Sequence, residues 1–152
     1  MLRVSLRGSI NSTRKPSKKN IMTQAQSLGK FAEDIAAEYL ISLGWKILAR
    51  NYKLNHGELD IIAIDTGIKP EEIAIIEVRC RTLGKIQSPF DSIGPRKLRS
   101  LVKYSWEFIN KIDWEGFWRI DIIGITMKEK NDSHDWELEH IRDITSSMNI
   151  LT

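Results

Sequence analysis

The chain has 152 residues, 41% of them hydrophobic and 28% charged, which suits one ordinary globular domain with a core of its own. Its single cysteine excludes a disulfide framework, and with no CxxC or HExxH spacing among Cys80, His56, His134 and His140 no zinc centre is indicated. No apolar run approaches the roughly 20 residues that span a bilayer, and there is neither a GxGxxG nor a P-loop. The expected setting is therefore cytoplasmic, with no membrane partner.

The net charge of +3 is unevenly divided. Residues 1–24 contain Arg3, Arg7, Arg14, Lys15, Lys18 and Lys19 and no acid, which leaves 17 basic against 20 acidic residues, a net of −3, in the remainder. With its serines, asparagine and Pro16, this stretch reads as a basic, unstructured tail ahead of a single domain at 25–152. Three readings of it stand: a nucleic-acid arm, an organellar transit segment, or a start placed too early, with translation beginning at Met22. A dispensable or misplaced extension is the favoured one.

Thr23 with Gln26 fits a capping box. Beyond it Leu28, Phe31, Ala32, Ile35, Ala36, Tyr39, Leu40 and Leu43 recur at helical spacing, and Gly44 stands where a helix C-cap belongs. Gly29, Ala32 and Ala36 would let this helix pack closely on a sheet. Glu33 lies beside the apolar stripe, where an acid ordinarily just favours a helix N-terminus. Trp45 to Tyr52 reads as a strand leading through Asn55-His56-Gly57 into two apolar runs interrupted by acids.

These two runs fit one another as an antiparallel hairpin joined by the Gly67 and Pro70 loop. Placing Ile64 opposite Ile73 sets Ile62 against Ile75, Asp60 against Glu77 and Glu58 against Arg79. The other face then pairs Ala63 with Ala74, Ile61 with Ile76 and Leu59 with Val78. Residues directly opposite have Cβ atoms about 5 Å apart, where two carboxylates repel by about 3 kcal/mol at an effective dielectric near 20. A proton, an arginine or a divalent cation must relieve this, and Mg²⁺ commonly takes one or two carboxylates and keeps several waters. A surface salt-bridge ladder, with Arg79 and Arg81 neutralising Glu58, Asp60 and Glu77, answers the same spacing. Cys80 falls on the face of Ala74, Ile76 and Val78, as a small core residue.

Pro89 to Pro95 reads as a loop, and Pro95 opens a second helix running to about Asn110, with Leu98, Leu101, Val102, Ser105 and Ile109 inward. Arg96, Arg99 and Lys103 form a basic row with Lys97 nearby, either a solvated face or a phosphate contact at a helix N-terminus. Phe117 to Met127 is a further strand, carrying Arg119 and Asp121 among apolar residues. A turn at Asp132 to His134 leads to a last strand, Trp136 to Ile141. The order α-β-β-β-α-β-β predicts an α/β (α+β) domain with a mixed sheet of about five strands flanked by helices. Trp45, Trp106, Trp114, Trp118 and Trp136 serve either as packing anchors or as stacking surfaces for bases.

Five segments in this order, GKFAEDIAAEYL, RNYKLNHGELDIIA, IIEVRCR, Lys97 and RIDIIGI, resemble the YraN family of uncharacterised bacterial proteins in the PD-(D/E)XK, restriction-endonuclease-like superfamily. The resemblance spans about Gln26 to Ile144 and implies a restriction-endonuclease-like fold and a nuclease-like domain. It implies Asp60 and Glu77 as ligands of Mg²⁺ or Mn²⁺, Arg79 at the position of the superfamily's catalytic lysine, and Glu33 as the first-helix glutamate of resolvase-like members. Glu58 is a candidate extra ligand, and Arg81, Arg96, Lys97 and Lys103 are candidate nucleic-acid contacts. The expectation is a metal-dependent endonuclease acting on nucleic acid, DNA foremost and branched or single-stranded. The alternative is a non-catalytic nucleic-acid-binding or protein-interaction module on the same scaffold. Nucleases that cut both strands are commonly dimers, so a homodimer is also among the expectations.

Overall fold

A computed structural model describes residues 3–11, 24–82, 91–130 and 133–146. In chain order they form β1 (Arg3–Asn11), α1 (Gln24–Ser42), β2 (Lys46–Leu54), β3 (Gly57–Asp65), β4 (Glu72–Thr82), α2 (Pro95–Lys111), β5 (Trp118–Lys130) and β6 (Ser133–Ile141). The strands make one sheet in the order β1-β6-β5-β4-β3-β2. Only β4 and β5 run parallel, joined across α2; every other neighbouring pair is antiparallel.

Both predicted helices are present. The α1 stripe buries Ala32, Ile35, Ala36, Tyr39 and Leu40 on Ile61, Ala63, Ala74, Ile76, Ile123 and Ile125 of the sheet. Gly44, at φ +80, ends α1: its N–H bonds the Ile41 carbonyl and that of Trp45 bonds Leu40, the paired bonds of a Schellman cap. Thr23, the expected cap at the other end, lies outside the described residues. On the opposite face, Leu98, Leu101, Phe108 and Ile109 of α2 pack on Leu59, Ile62, Ile73, Ile75, Ile120 and Ile122. The sheet is thus covered on both sides, and each fully buried isoleucine contributes roughly 1.5–3 kcal/mol. This is the mixed α/β architecture expected, with six strands where about five were predicted.

Over residues 3–11 the extra strand corrects the reading of an unstructured tail. Val4 and Leu6 alternate with Arg3, Ser5 and Arg7, and β1 pairs along its whole length with β6. Gly8 makes room for the Trp136 ring, which a Cβ there would overlap. Arg3 and Arg7 pair with Glu139 at 2.7 Å and Glu137 at 2.9 Å. Residues 12–23, with the rest of the basic cluster and Met22, lie outside the described residues, as do Pro89 and Phe90 of the expected loop and Asp132.

Among the described residues no helix is long and apolar enough to cross a membrane. Trp45 is a core residue, whereas Trp106 is 48% exposed and meets Trp118 edge to face.

Candidate functional site

The hairpin register follows the sequence pattern as far as Ile61↔Ile76 and then stops. The expected pairs Asp60–Glu77, Leu59–Val78 and Glu58–Arg79 do not form as ladder partners. The cause is Asp60 itself, whose Oδ2 accepts the Val78 N–H at 2.8 Å. The side chain thereby satisfies a donor that the next ladder bond would have used. The other neighbour yields at the same level: Asn51, between the pairs Arg50↔Ile61 and Tyr52↔Leu59, adopts φ +50. As a result Leu59 packs on the α2 side while Ile61 packs on the α1 side, where regular alternation would have kept them together. The strands part at this kink.

The parting is held in place from α2. Tyr104 donates its hydroxyl to the His56 carbonyl at the tip of the β2–β3 hairpin, and a Cβ at Gly57 would overlap the Tyr104 ring. Glycine here lets the hairpin seat on the helix.

Acids and bases meet at the gap. Glu77 is 2% exposed. Its Oε1 pairs with Lys97 Nζ at 3.1 Å and Arg79 Nη2 at 3.3 Å, while its buried Oε2 has no hydrogen-bond partner, nor has Arg79 Nε. Burial pushes the Asp60 carboxyl up to about 7, and the nearby Glu77 charge adds to the rise; the Val78 N–H opposes it, Glu33 adds a smaller push and Lys97 draws it back. Asp60 therefore feels Glu33 from one side of the sheet and Lys97 from the other. Glu33 also lines an open cleft of about 450 Å³ with Gln26, Gly29, Lys30 and Asn51.

Of the expected site residues, Asp60, Glu77, Arg79 and Glu33 are brought together. Lys97, expected to touch nucleic-acid backbone, contacts Glu77 directly. Glu58 stands apart, opposite Lys53 on β2, and does not figure among the charges that shift Asp60. Arg81 is held by the Thr126 hydroxyl at 3.0 Å, and Arg96 and Lys103 are exposed on α2. Of the expected salt-bridge ladder the Arg79–Glu77 pair forms, but on a buried carboxylate, and among the described residues Asp60 has no ion pair.

Among the described residues no three His, Cys, Asp or Glu side chains form a cage for a metal ion. A cage is what a structural zinc requires; a hard cation such as Mg²⁺ needs only one or two carboxylates, with waters and phosphate completing its shell. The orphaned Glu77 Oε2 and the repulsion between Glu77 and Asp60 fit such a cation. One acceptor is unspent and the local charge wants a positive partner.

A second polar cluster, several residues along the same strands, was not foreseen from the sequence. Arg119 bonds Asp65 and Glu72 at 2.8 Å and Asp121 at 3.0 Å. Asp121 also meets His140 Nε2 at 3.0 Å and accepts the Asp143 N–H at 2.8 Å, and His140 Nδ1 lies 3.2 Å from the Tyr39 hydroxyl. Arg142 stands 3.5 Å from Asp65, and both arginines lie over the Trp45 ring. Burial works against the Arg119 charge, but Asp121 and the bonds to Glu72 and Asp65 outweigh it and raise its pKa. The RIDIIGI segment carried Arg119 and Asp121 in plain view; their partners are too distant in sequence to be paired by spacing.

Residues 32–125 match the model of a family described as "Uncharacterised protein family UPF0102", a span that contains Glu33, Asp60, Glu77, Arg79 and Lys97. A UPF0102 protein of Chlorobaculum parvum is 34% identical over 126 residues, covering 80% of this chain and 93% of that one. One from Mycobacterium tuberculosis strain H37Rv is 35% identical over 126 residues, covering 81% and 94%. One from Chlorobium chlorochromatii is 31% identical over 118 residues, covering 76% and 88%.

Proposed function

The chain belongs to the UPF0102 family, and from its site we propose that it is a metal-dependent nuclease, hydrolysing phosphodiester bonds in nucleic acid with Mg²⁺ or Mn²⁺. One observation carries the reading: Asp60 and Glu77 converge where the sheet parts, with a carboxyl pushed up to about 7 and a buried carboxylate oxygen left without a partner. An unpartnered buried carboxylate oxygen calls for an explanation, and a perturbed carboxyl beside it makes the spot a functional-site candidate.

Asp60 and Glu77 would hold the cation, which when bound lowers the pKa of water and offsets phosphate charge. Arg79 sits where the superfamily has lysine, and a guanidinium stays protonated, so its part is to attract and orient a phosphate oxygen. Lys97, contributed by α2, puts a second cation on the same carboxylate. Glu33, whose charge also acts on Asp60, would accept a hydrogen bond from water there. DNA, branched or single-stranded, is the foremost candidate substrate.

Two observations favour a second reading, a nucleic-acid-binding or protein-interaction module without catalysis: the permanently charged Arg79 and the lack of a third metal-ligating side chain among the described residues. Calorimetric titration with Mn²⁺ of wild type and of Asp60→Ala/Glu77→Ala decides the metal site. A nuclease requires binding in wild type that the double variant loses; identical traces refute it. Purified wild type that binds Mn²⁺ yet leaves junction, flap and single-stranded substrates intact supports the module.

A further inference from the structure

The cleft beside Glu33 has features that the fold itself does not require. Gly29 lies within α1, where glycine is a poor helix former beside alanine. Its backbone is not in the left-handed region, and a Cβ added there would meet nothing within 4 Å. Neither strain nor packing calls for glycine, yet the position lines the cleft wall. Asn51 also lines it, a residue of β2 that falls between the pairs Arg50↔Ile61 and Tyr52↔Leu59, at the level of Asp60. The two walls are tied together by the Arg50–Asp34 ion pair at 2.6 Å, formed by the immediate neighbours of Asn51 and Glu33. The cleft is thus braced, is bounded by Glu33, whose charge acts on Asp60, and is lined by the amides of Gln26 and Asn51 and the ammonium of Lys30.

We infer that this cleft receives one unpaired nucleotide of a nucleic-acid strand, next to the phosphate that lies at Asp60 and Glu77. The inference rests on the nuclease reading of those carboxylates and adds to it a substrate form, a strand with an unpaired base. At about 450 Å³ the space is of small-ligand size and takes a single nucleoside, whereas a base pair in a stacked duplex cannot enter. Amide side chains present a donor and an acceptor together, the pattern that reads a base edge, and Lys30 is the cation for a flanking phosphate. Gly29 keeps the wall bare so that the base can lie against the helix backbone.

The test uses the full chain and measures binding in EDTA, so that it does not depend on a metal. Fluorescence anisotropy is recorded with a labelled single-stranded oligodeoxynucleotide, the matching oligoribonucleotide and the blunt duplex, at fixed low salt. Wild type is expected to favour a single strand over the duplex by roughly tenfold, the range of one bound base, and the two single strands identify which sugar is accepted. Gly29→Leu, a helix-favouring change that fills the cleft, should erase that preference and leave duplex binding within about twofold. Gly29→Ala, whose Cβ meets nothing, should retain it. A wild type without single-strand preference, a Gly29→Leu protein that keeps it, or a Gly29→Ala protein that loses it as fully as Gly29→Leu overturns the inference. Mn²⁺ calorimetry on the same proteins judges the carboxylate pair separately, since Gly29→Leu should bind Mn²⁺ like wild type.

Discussion

Replacing Asp60 by asparagine should make the metal-free protein more stable, and increasingly so as pH rises. Asparagine has nearly the same shape and retains an oxygen to accept the Val78 N–H, so the change removes chiefly the charge. Asp60 titrates near 3.8 when unperturbed and near 7 in the fold, because burial and the Glu77 charge disfavour its ionised form. A pKa raised on folding favours the folded state most fully below the unfolded value, and that advantage is lost as pH rises through the folded one. At about 1.36 kcal/mol per pKa unit, keeping Asp60 rather than asparagine becomes a handicap of about 4 kcal/mol above pH 7. Between about pH 5 and pH 8 the handicap grows by roughly 2–3 kcal/mol. Urea unfolding of both proteins in EDTA at those two pH values measures this difference directly. Adding Mn²⁺ at pH 8 should then stabilise wild type, by about 2.7 kcal/mol at a hundredfold excess over Kd, and asparagine-60 protein far less. A stability difference that is the same at both pH values refutes the electrostatic account of the site.

Arg119→Met keeps much of the side-chain volume but leaves Asp65 and Asp121, both essentially buried, without their main charge partner. Unfolding free energy should fall by about 3–5 kcal/mol, and a loss below about 1 kcal/mol in urea titration contradicts the network's role. Gly57→Ala forces the hairpin off Tyr104 and should destabilise by about 1–3 kcal/mol; in a double-mutant cycle with Tyr104→Leu most of that effect should vanish, and additive effects would show that the ring is not the obstacle. The β1 ion pairs are exposed, so Arg3→Ala/Arg7→Ala should cost less than about 1 kcal/mol, read as a shift in urea midpoint with unchanged slope.

How much of this was legible in the sequence depends on the range of the interaction involved. The helices and the Ile61–Ile64 and Ile73–Ile76 pairing follow from apolar periodicity, a local signal, and the register emerged as the pattern dictates. Where the ladder ends was not legible, because the break comes from a side chain competing for a backbone donor across the sheet. β1 was missed because basic composition hid its alternation. Lys97 read as one of a basic row, since nothing in the spacing of α2 reveals that its first turn faces Glu77. The Arg119 cluster joins residues up to 101 positions apart, beyond any motif.

That second cluster is the best internal comparison for the site. At Asp65, Glu72 and Asp121 this fold shows how it neutralises buried acids: two arginines, a histidine and backbone donors supply partners, and among the buried side-chain atoms there only Arg142 Nε goes without. About five residues along the same strands, roughly 16 Å away at 3.3 Å per residue, Glu33, Asp60 and Glu77 are treated differently. Arg79 and Lys97 crowd onto one oxygen of Glu77, its other oxygen is left bare, and Asp60 makes no ion pair. Asp65 and Asp60 share β3, and Glu72 and Glu77 share β4, so both clusters draw on the same two strands. Satisfying one set of carboxylates while leaving the neighbouring set short of positive charge is the contrast expected of the proposed cation site.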